Sequence, residues 1–98
     1  MDRVRYTVND NIVQEIHKLV VHRFDVADVD DPDIYAAGPL FDWERSEAGQ
    51  FVMKNAEDKP EWQRHMDPMF MGYRYVIIAE LEKKKLSEFY LRFGKVNA

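Results

Sequence analysis

Two segments of the chain alternate apolar with polar residues, and this period of two predicts β-strands. The first covers residues 3–8, where Val4, Tyr6 and Val8 alternate with charged or polar neighbours. The second covers residues 73–81 and is the clearest strand in the sequence. Its middle is apolar at consecutive positions, so we expect both of its faces to be covered there.

Further strands are predicted from less regular patterns. They lie at residues 17–25, 61–66 and 88–93. Residues 9–11 form a turn signal of Asn and Asp. Residues 12–16 fit either a helix or the beginning of a strand and are left unassigned. Residues 67–72 have the Asp, Pro and Gly content that is typical of a hairpin connection.

A single long helix is predicted over residues 39–56. Pro39 suits the first helical position because its ring fixes φ and because its missing N–H would have no partner there. Acidic residues lie in the first turns, and apolar residues then recur over a broad arc at the helical period. The preceding residues 26–38 are rich in Asp and Pro and predict a loop. Residues 82–87 predict a short helical turn.

Taken in order from residue 17, with the N-terminal segment set aside, these elements give β-α-β-β-short α-β, which is the ferredoxin-like order. The sequence therefore predicts an α+β fold, with a single antiparallel sheet of about four strands and one main helix packed on one face. A length of 98 residues without a visible linker predicts one domain, 1–98, in which 1–16 is an N-terminal segment of uncertain structure. We expect the uncovered face to meet that segment, a second subunit or another partner.

Composition narrows the class of protein. Apolar residues make up 46% of the chain and aromatic residues 13%, which is enough for one hydrophobic core. The absence of cysteine excludes disulfides, thiolate metal sites and a thiol nucleophile. A net charge of −4 argues against general nucleic-acid binding, and no apolar run approaches the length of a membrane span. We therefore expect a soluble cytoplasmic protein that carries no cofactor.

A run of aspartates before the predicted helix raises the question of calcium binding. Asp28, Asp30, Asp31 and Asp33 lie close together in sequence, and calcium sites use several carboxylates on one tight loop. The EF-hand pattern fails, however, because a loop that begins at Asp28 has proline at its fifth and twelfth positions and aspartate at its sixth. A non-standard cation site stays open, but a solvated loop in which aspartates stabilise turns is the favoured interpretation.

Three residues are candidates for acid–base chemistry, although none is assigned a catalytic role. Glu44 falls inside the apolar arc of the predicted helix, where a carboxylate must be paired, protonated or at the rim. His65 and Asp67 share one face of a predicted strand, as a base and its orienting carboxylate would. A pocket between helix and sheet around these three side chains would make the protein an enzyme or a small-ligand-binding protein. This is the alternative interpretation.

The connection at 67–72 contains three large apolar side chains, Met69, Phe70 and Met71. Such side chains are unfavourable when simply exposed, and methionine-rich surfaces adapt their shape to partners. They either fold back onto the core or form a contact surface together with the exposed face of strand 73–81. The leading interpretation is a non-enzymatic protein–protein interaction module. Its partner would be another protein or, in a homodimer, a second copy of the chain.

The middle of the chain also resembles a known group of proteins. The resemblance lies in residues 30–40 (DDPDIYAAGPL), 43–52 (WERSEAGQFV), 60–65 (PEWQRH), 72–75 (GYRY) and 89–94 (FYLRFG). These segments are similar to small uncharacterised proteins encoded by tailed phages, notably those infecting marine cyanobacteria. That group has no assigned activity, so the resemblance supplies no site residues. It implies a phage origin, expression in the cytoplasm of an infected host cell, and a virion-associated or host-takeover role.

Overall fold

The structure is a computed structural model that describes residues 3–67, 69 and 71–96. The described part of the chain contains four strands and three helices in the order β-β-α-α-β-β-α. They are β1 (Arg3–Asn9), β2 (Ile12–Val26), α1 (Pro32–Arg45), α2 (Glu47–Asn55), β3 (Glu61–Asp67), β4 (Gly72–Glu82) and α3 (Lys83–Phe93). This arrangement confirms the α+β class and the four-stranded antiparallel sheet, but not the ferredoxin-like order or a single main helix.

Two antiparallel hairpins lie side by side in the sheet, whose strand order is β1-β2-β4-β3. β2 pairs with β1 over residues 12–18 and with β4 over residues 16–26. The first residues of β2 therefore extend beyond the end of β4 together with their β1 partners. We call this projecting part, residues 6–15, the N-terminal arm. The molecule is correspondingly elongated, with extents of 51 × 25 × 21 Å.

The residues left unassigned in the sequence, 12–16, are the beginning of β2. Asp10 and Asn11 form the two-residue connection before them and have φ values of 52° and 65°. Positive φ at both positions matches a type I′ turn, whose twist fits a right-handed hairpin and which Asn and Asp tolerate well. This turn fixes the strand pairing, and the β-branched residues that follow it continue the strand.

β4 is central in the sheet and is covered on both faces, as its sequence predicted. Its five middle residues, from Tyr75 to Ala79, are all less than 9% exposed. On one face, Ile77, Ala79 and Leu81 join a hydrophobic core completed by α2 and α3. On the other face, Val76 and Ile78 are also buried, and their pairing partners in β2 and β3 include Arg23, Gln63 and Glu61. The middle of β4 therefore has no exposed face, so the expectation that it docks a partner there is wrong.

The predicted helix over 39–56 is wrong in its start and in its continuity. Helical structure begins at Pro32, seven residues earlier, and is interrupted at Ser46, which ends α1 and begins α2. The Ser46 hydroxyl donates a hydrogen bond to the Trp43 carbonyl (2.6 Å) and accepts one from the Gly49 amide (3.0 Å). One serine thus caps two helices, an arrangement that the helical period alone does not distinguish from a continuous helix.

The predicted last strand, 88–93, is also wrong, because these residues belong to α3. Phe89, Leu91 and Phe93 alternate as in a strand, but Leu86, Phe89 and Phe93 also recur at helical spacing. Exposure decides between the two patterns. Phe89 is 1% exposed in the core, whereas Leu91 is 88% exposed on the outside of the helix. Because a helix replaces this strand and β1 and β2 pair as a hairpin, the ferredoxin-like order is not formed.

The junction between α1 and α2 predicts a strict requirement for glycine at position 49. A Cβ atom at Gly49 would lie 1.7 Å from the Trp43 carbonyl oxygen, so the backbone would have to move. We expect Gly49→Ala to lower the free energy of unfolding by about 2 kcal/mol or more in urea denaturation. The control is Lys54→Ala, at an exposed position of the same helix, which should change it by less than about 0.5 kcal/mol. Equal stability of the two variants would contradict the close approach.

Candidate functional site

Exposed methionines cluster at the end of the β3–β4 hairpin. Met66, Met69 and Met71 are 71%, 86% and 71% exposed. We call this cluster the methionine surface. Phe70, which the sequence analysis grouped with Met69 and Met71, lies outside the described residues. The structure therefore places the two described members of the predicted contact segment in solvent and adds Met66 to them.

The loop that presents these side chains is tied to the sheet by Asp67. Its carboxylate accepts hydrogen bonds from the Met69 amide (3.0 Å) and from Arg74 Nη2 (3.1 Å). Arg74 also contacts Asp25 of β2 at 3.4 Å, so the ion pairs connect three strands. Met71 has a φ of 50°, a left-handed conformation that methionine adopts only when its surroundings hold it. These contacts hold the Asp67 carboxylate, the Met69 amide and Arg74 together at the end of the hairpin.

An open groove of about 310 Å³ lies beside the methionine surface. Met66, Met71 and Tyr73 supply its apolar walls, and Asp28 and Asp67 supply carboxylates. Gly72 forms part of the wall, and a Cβ atom there would lie 2.7 Å from the Val26 carbonyl oxygen of β2. The site therefore combines an apolar centre with charged groups at its border.

Hydrogen bonds from Arg64 and Tyr75 to Asp33 hold the beginning of α1 against the sheet, next to this groove. The Tyr75 hydroxyl donates a hydrogen bond to the Asp33 carboxylate at 2.5 Å, and Arg64 Nη1 donates to the same oxygen at 3.0 Å. Burial of the phenol, together with its hydrogen bond to Asp33, raises the pKa of Tyr75. Arg64 also lies over the ring of Tyr73 at 5.3 Å, so its guanidinium contacts a residue that lines the groove.

The acidic segment consequently divides into residues with different surroundings. Asp33 is used in the contacts just described, and Asp31, with a φ of 51°, immediately precedes α1. Asp28 lines the groove, and Asp30 is exposed. Within the described residues, no three His, Cys, Asp or Glu side chains are grouped closely enough to hold a metal ion. The geometry therefore supports a structural use of Asp33.

The structure does not bring the three acid–base candidates into one pocket. Glu44 is exposed and borders a cavity of only about 40 Å³ beside the first residues of β3. His65 and Asp67 lie at the other end of that strand, where His65 is exposed and Asp67 is ion-paired with Arg74. The expected helix–sheet pocket around all three is therefore wrong. The cause is the helix break at Ser46. Because of this break, the continuous apolar arc in which the sequence analysis placed Glu44 does not form.

Sequence reasoning missed a second set of exposed apolar side chains, in the N-terminal arm. Tyr6, Val8, Ile12 and Val13 are each between 62% and 73% exposed. The alternation of residues 3–8 identified a strand, and its apolar face would ordinarily lie in the core. The sequence nevertheless contains an indication of the arm. The stretch rich in β-branched residues that begins at residue 12 is longer than a strand of the core needs.

His22 is a partly buried titratable group that contacts aromatic rings. Its ring stacks on Trp43 at 6.0 Å and lies 6.0 Å from Phe24. Removal from water disfavours the imidazolium form and lowers the pKa of His22. The native state therefore favours the neutral form of this histidine.

Comparisons of the chain with protein-family models, with curated proteins and with solved structures gave no match. A search of the helices in the described residues found none that is long and apolar enough to cross a membrane. The assignment of a function therefore depends on the geometry of the surfaces described above.

The contacts of Asp33 predict unequal roles for the aspartates of the acidic segment. We expect Asp33→Asn to lower the free energy of unfolding by about 1 kcal/mol, because it loses a charged hydrogen bond and an ion pair. Asp30→Asn, the matched control, should change it by less than about 0.5 kcal/mol. The measurement is urea denaturation of both variants with calcium and with EDTA. Equal losses, or a calcium-dependent gain that either variant abolishes, would contradict the structural role of Asp33.

The lowered pKa of His22 predicts a specific loss of stability in acid. The unfolded chain binds a proton at this histidine near pH 6.5, before the native state does, so stability falls as the pH drops below about 6.5. We expect His22→Phe to weaken the fall in melting temperature between pH 7.5 and 5.5, since phenylalanine keeps the ring contacts and does not titrate. His65→Gln, at an exposed histidine, should retain the wild-type pH dependence. An unchanged dependence in His22→Phe would contradict the burial argument.

Proposed function

We propose that this protein is a non-enzymatic protein–protein interaction module of phage type, which binds a partner through the methionine surface. The observation that carries the proposal is the exposure of Met66, Met69 and Met71, each above 70%, on one hairpin end. Burying such side chains against a partner removes apolar area from water, at about 25 cal/mol per Å². Their unbranched, polarisable side chains adapt to the surface that they meet.

The border of the methionine surface supports a protein as the partner. Interfaces between proteins have an apolar centre that is enriched in Met and aromatic residues, with polar and charged groups at the rim. Here Tyr73 adjoins the methionines, Asp28 lines the groove, and Arg64 lies over the Tyr73 ring. A partner can thus combine apolar burial with charged contacts that set its orientation.

The contacts of Asp67 support binding at a reduced ordering cost. Asp67 holds the Met69 amide and Arg74, and Arg74 reaches Asp25 in β2. A surface that is already in its binding conformation loses less conformational freedom when a partner docks. The cytoplasm of an infected host cell, which follows from the phage resemblance, stays part of this proposal. The enzymatic alternative has no such support, because Glu44 lies apart from His65 and Asp67.

The proposal predicts loss of a captured partner when the methionine surface is made polar. We expect the tagged full chain to capture a protein from infected-cell lysate, and Met69→Ser/Met71→Ser to retain less than about a tenth of it. The matched control, Ile34→Ser/Leu91→Ser, replaces two side chains that are 70% and 88% exposed elsewhere and should capture the partner normally. Equal capture by both double variants, or no capture by the wild type, would contradict the proposal.

Methionine methyl resonances test the same surface directly. The chain contains five methionines, and Met53 lies away from the hairpin end, on α2. On addition of the captured protein to methyl-labelled chain, the signals of Met66, Met69 and Met71 should shift or broaden. The Met53 signal should stay in place and serves as an internal control. A change confined to Met53 would place the contact elsewhere.

A further inference from the structure

β1 is an edge strand of the sheet, and its apolar side chains are open to solvent. Val4, Tyr6 and Val8 are 46%, 66% and 73% exposed. They point to the face of the sheet that carries the helices, because their pairing partners His17, Glu15 and Val13 share that face with Leu19 of the core. β1 therefore combines a free strand edge with an exposed apolar face.

The hairpin turn determines which backbone groups of β1 face outward. A two-residue connection makes Asn9 and Ile12 a hydrogen-bonded pair, and bonded pairs then alternate along the hairpin. Arg3, Arg5, Thr7 and Asn9 thus direct their backbone groups to β2. Val4, Tyr6 and Val8 direct theirs away from the sheet, so the residues with exposed apolar side chains also carry the free N–H and C=O groups.

β1 is complementary to itself in one antiparallel register. With Tyr6 opposite Tyr6 of a second copy, Val4 lies opposite Val8 and Arg5 opposite Thr7. The remaining pair is Arg3 with Asn9, so neither arginine faces a like charge. The free backbone groups of Val4, Tyr6 and Val8 meet their counterparts in this register and form hydrogen-bonded pairs. Apolar and aromatic cross-strand pairs of this kind stabilise antiparallel sheets.

The charged side chains of β1 do not oppose pairing at this edge. The Arg5 guanidinium crosses β2 and forms an ion pair with Glu80 of β4 at 2.7 Å, so its charge is directed into the sheet. The other edge strand, β3, has the opposite character. Full antiparallel pairing of β3 with a second β3 would set Arg64 against Arg64 and Glu61 against Asp67. Like charges at such positions oppose pairing, which is how proteins commonly protect a strand edge.

We infer that two copies of this chain associate by antiparallel pairing of their β1 strands, with Tyr6 at the two-fold axis. The two four-stranded sheets join into one continuous sheet, and the helices of both copies lie on the same face. Val4, Tyr6 and Val8 of each copy then form an apolar strip between the two helical layers. The inference goes beyond the proposed function, because it names a second copy as a partner and uses a surface separate from the methionine surface.

Charge placement at two positions tests the register. Val4→Lys/Val8→Lys sets lysine opposite lysine twice, whereas Val4→Lys/Val8→Glu sets lysine opposite glutamate twice. Light scattering over about 5 to 500 µM measures the mass of the full chain. We expect a dimer for the wild type and for the lysine–glutamate variant, and at least about tenfold weaker association for the lysine–lysine variant. Circular dichroism establishes that both variants are folded.

A cross-linking experiment tests the same pairing without changing charge at the edge. The chain has no cysteine, so Tyr6→Cys introduces a single thiol at the two-fold axis. We expect mild oxidation to give a disulfide-linked dimer, because directly opposed residues bring their Cα atoms within disulfide range. Arg64→Cys, at the centre of the β3 edge, is the control and should cross-link at least about tenfold more slowly.

The outcomes separate this inference from the proposed function. A wild-type chain that stays monomeric at the highest concentration overturns β1 pairing, and so does equal association of the two charge variants. A dimer that persists in both charge variants but is lost in Met69→Ser/Met71→Ser overturns β1 pairing while supporting the methionine surface. A β1-dependent dimer that captures no other protein supports the pairing and counts against the methionine surface. A heterologous strand that occupies the edge would leave the purified chain monomeric and therefore also overturns the inference.

Discussion

β2 pairs with β1 over residues 12–18 and with β4 over residues 16–26, so the two pairings overlap only at residues 16–18. A strand of 15 residues is long enough to bridge the two hairpins in this way. An extra residue, Val21, enters the pairing with β4 as a bulge and is nevertheless 2% exposed. A bulge of this kind increases the local right-handed twist of the strand. The offset thus separates a packed body from an arm that cannot reach the core.

The sequence analysis was most accurate where one local pattern dominated. The middle of residues 73–81 is apolar on both faces. Because only a central strand accommodates that composition, the sequence predicted both β4 and its burial. The strand and turn of residues 3–11 followed from alternation and from Asp10-Asn11. In each case the backbone geometry and the surroundings agreed, which is the condition under which local reasoning succeeds.

The errors occurred where two periods fit the same residues or where a distant contact decided the outcome. Residues 88–93 satisfy a strand and a helix equally, and only the packing of Phe89 against the core selects the helix. Ser46 and Gly49 are both compatible with a continuous helix, and the break becomes visible only when the Trp43 carbonyl lies against Gly49. Glu44 was therefore assigned to a pocket by a helical arc that the structure interrupts. The sequence left open whether Met69 and Met71 fold back onto the core, and the offset that exposes the arm depends on pairing partners far away in sequence.

The antiparallel course of the sheet sets the two proposed contact surfaces at opposite ends of β2. Val26 pairs with Tyr73 beside the methionine surface, whereas Ile12 and the turn before it form the tip of the arm. Antiparallel pairing of two β1 strands reverses one copy relative to the other. The two methionine surfaces then face away from each other at the far ends of the assembly. Such a dimer is bivalent, and a partner that is itself repeated, as the subunits of a virion are, would be bound at both ends. Bivalent attachment strengthens binding through effective concentration without any new contact, provided that the spacing of the partner sites matches. A rigid sheet across the two-fold axis fixes that spacing, so the same offset in β2 that exposes the arm would also determine which repeated surfaces the dimer can bridge.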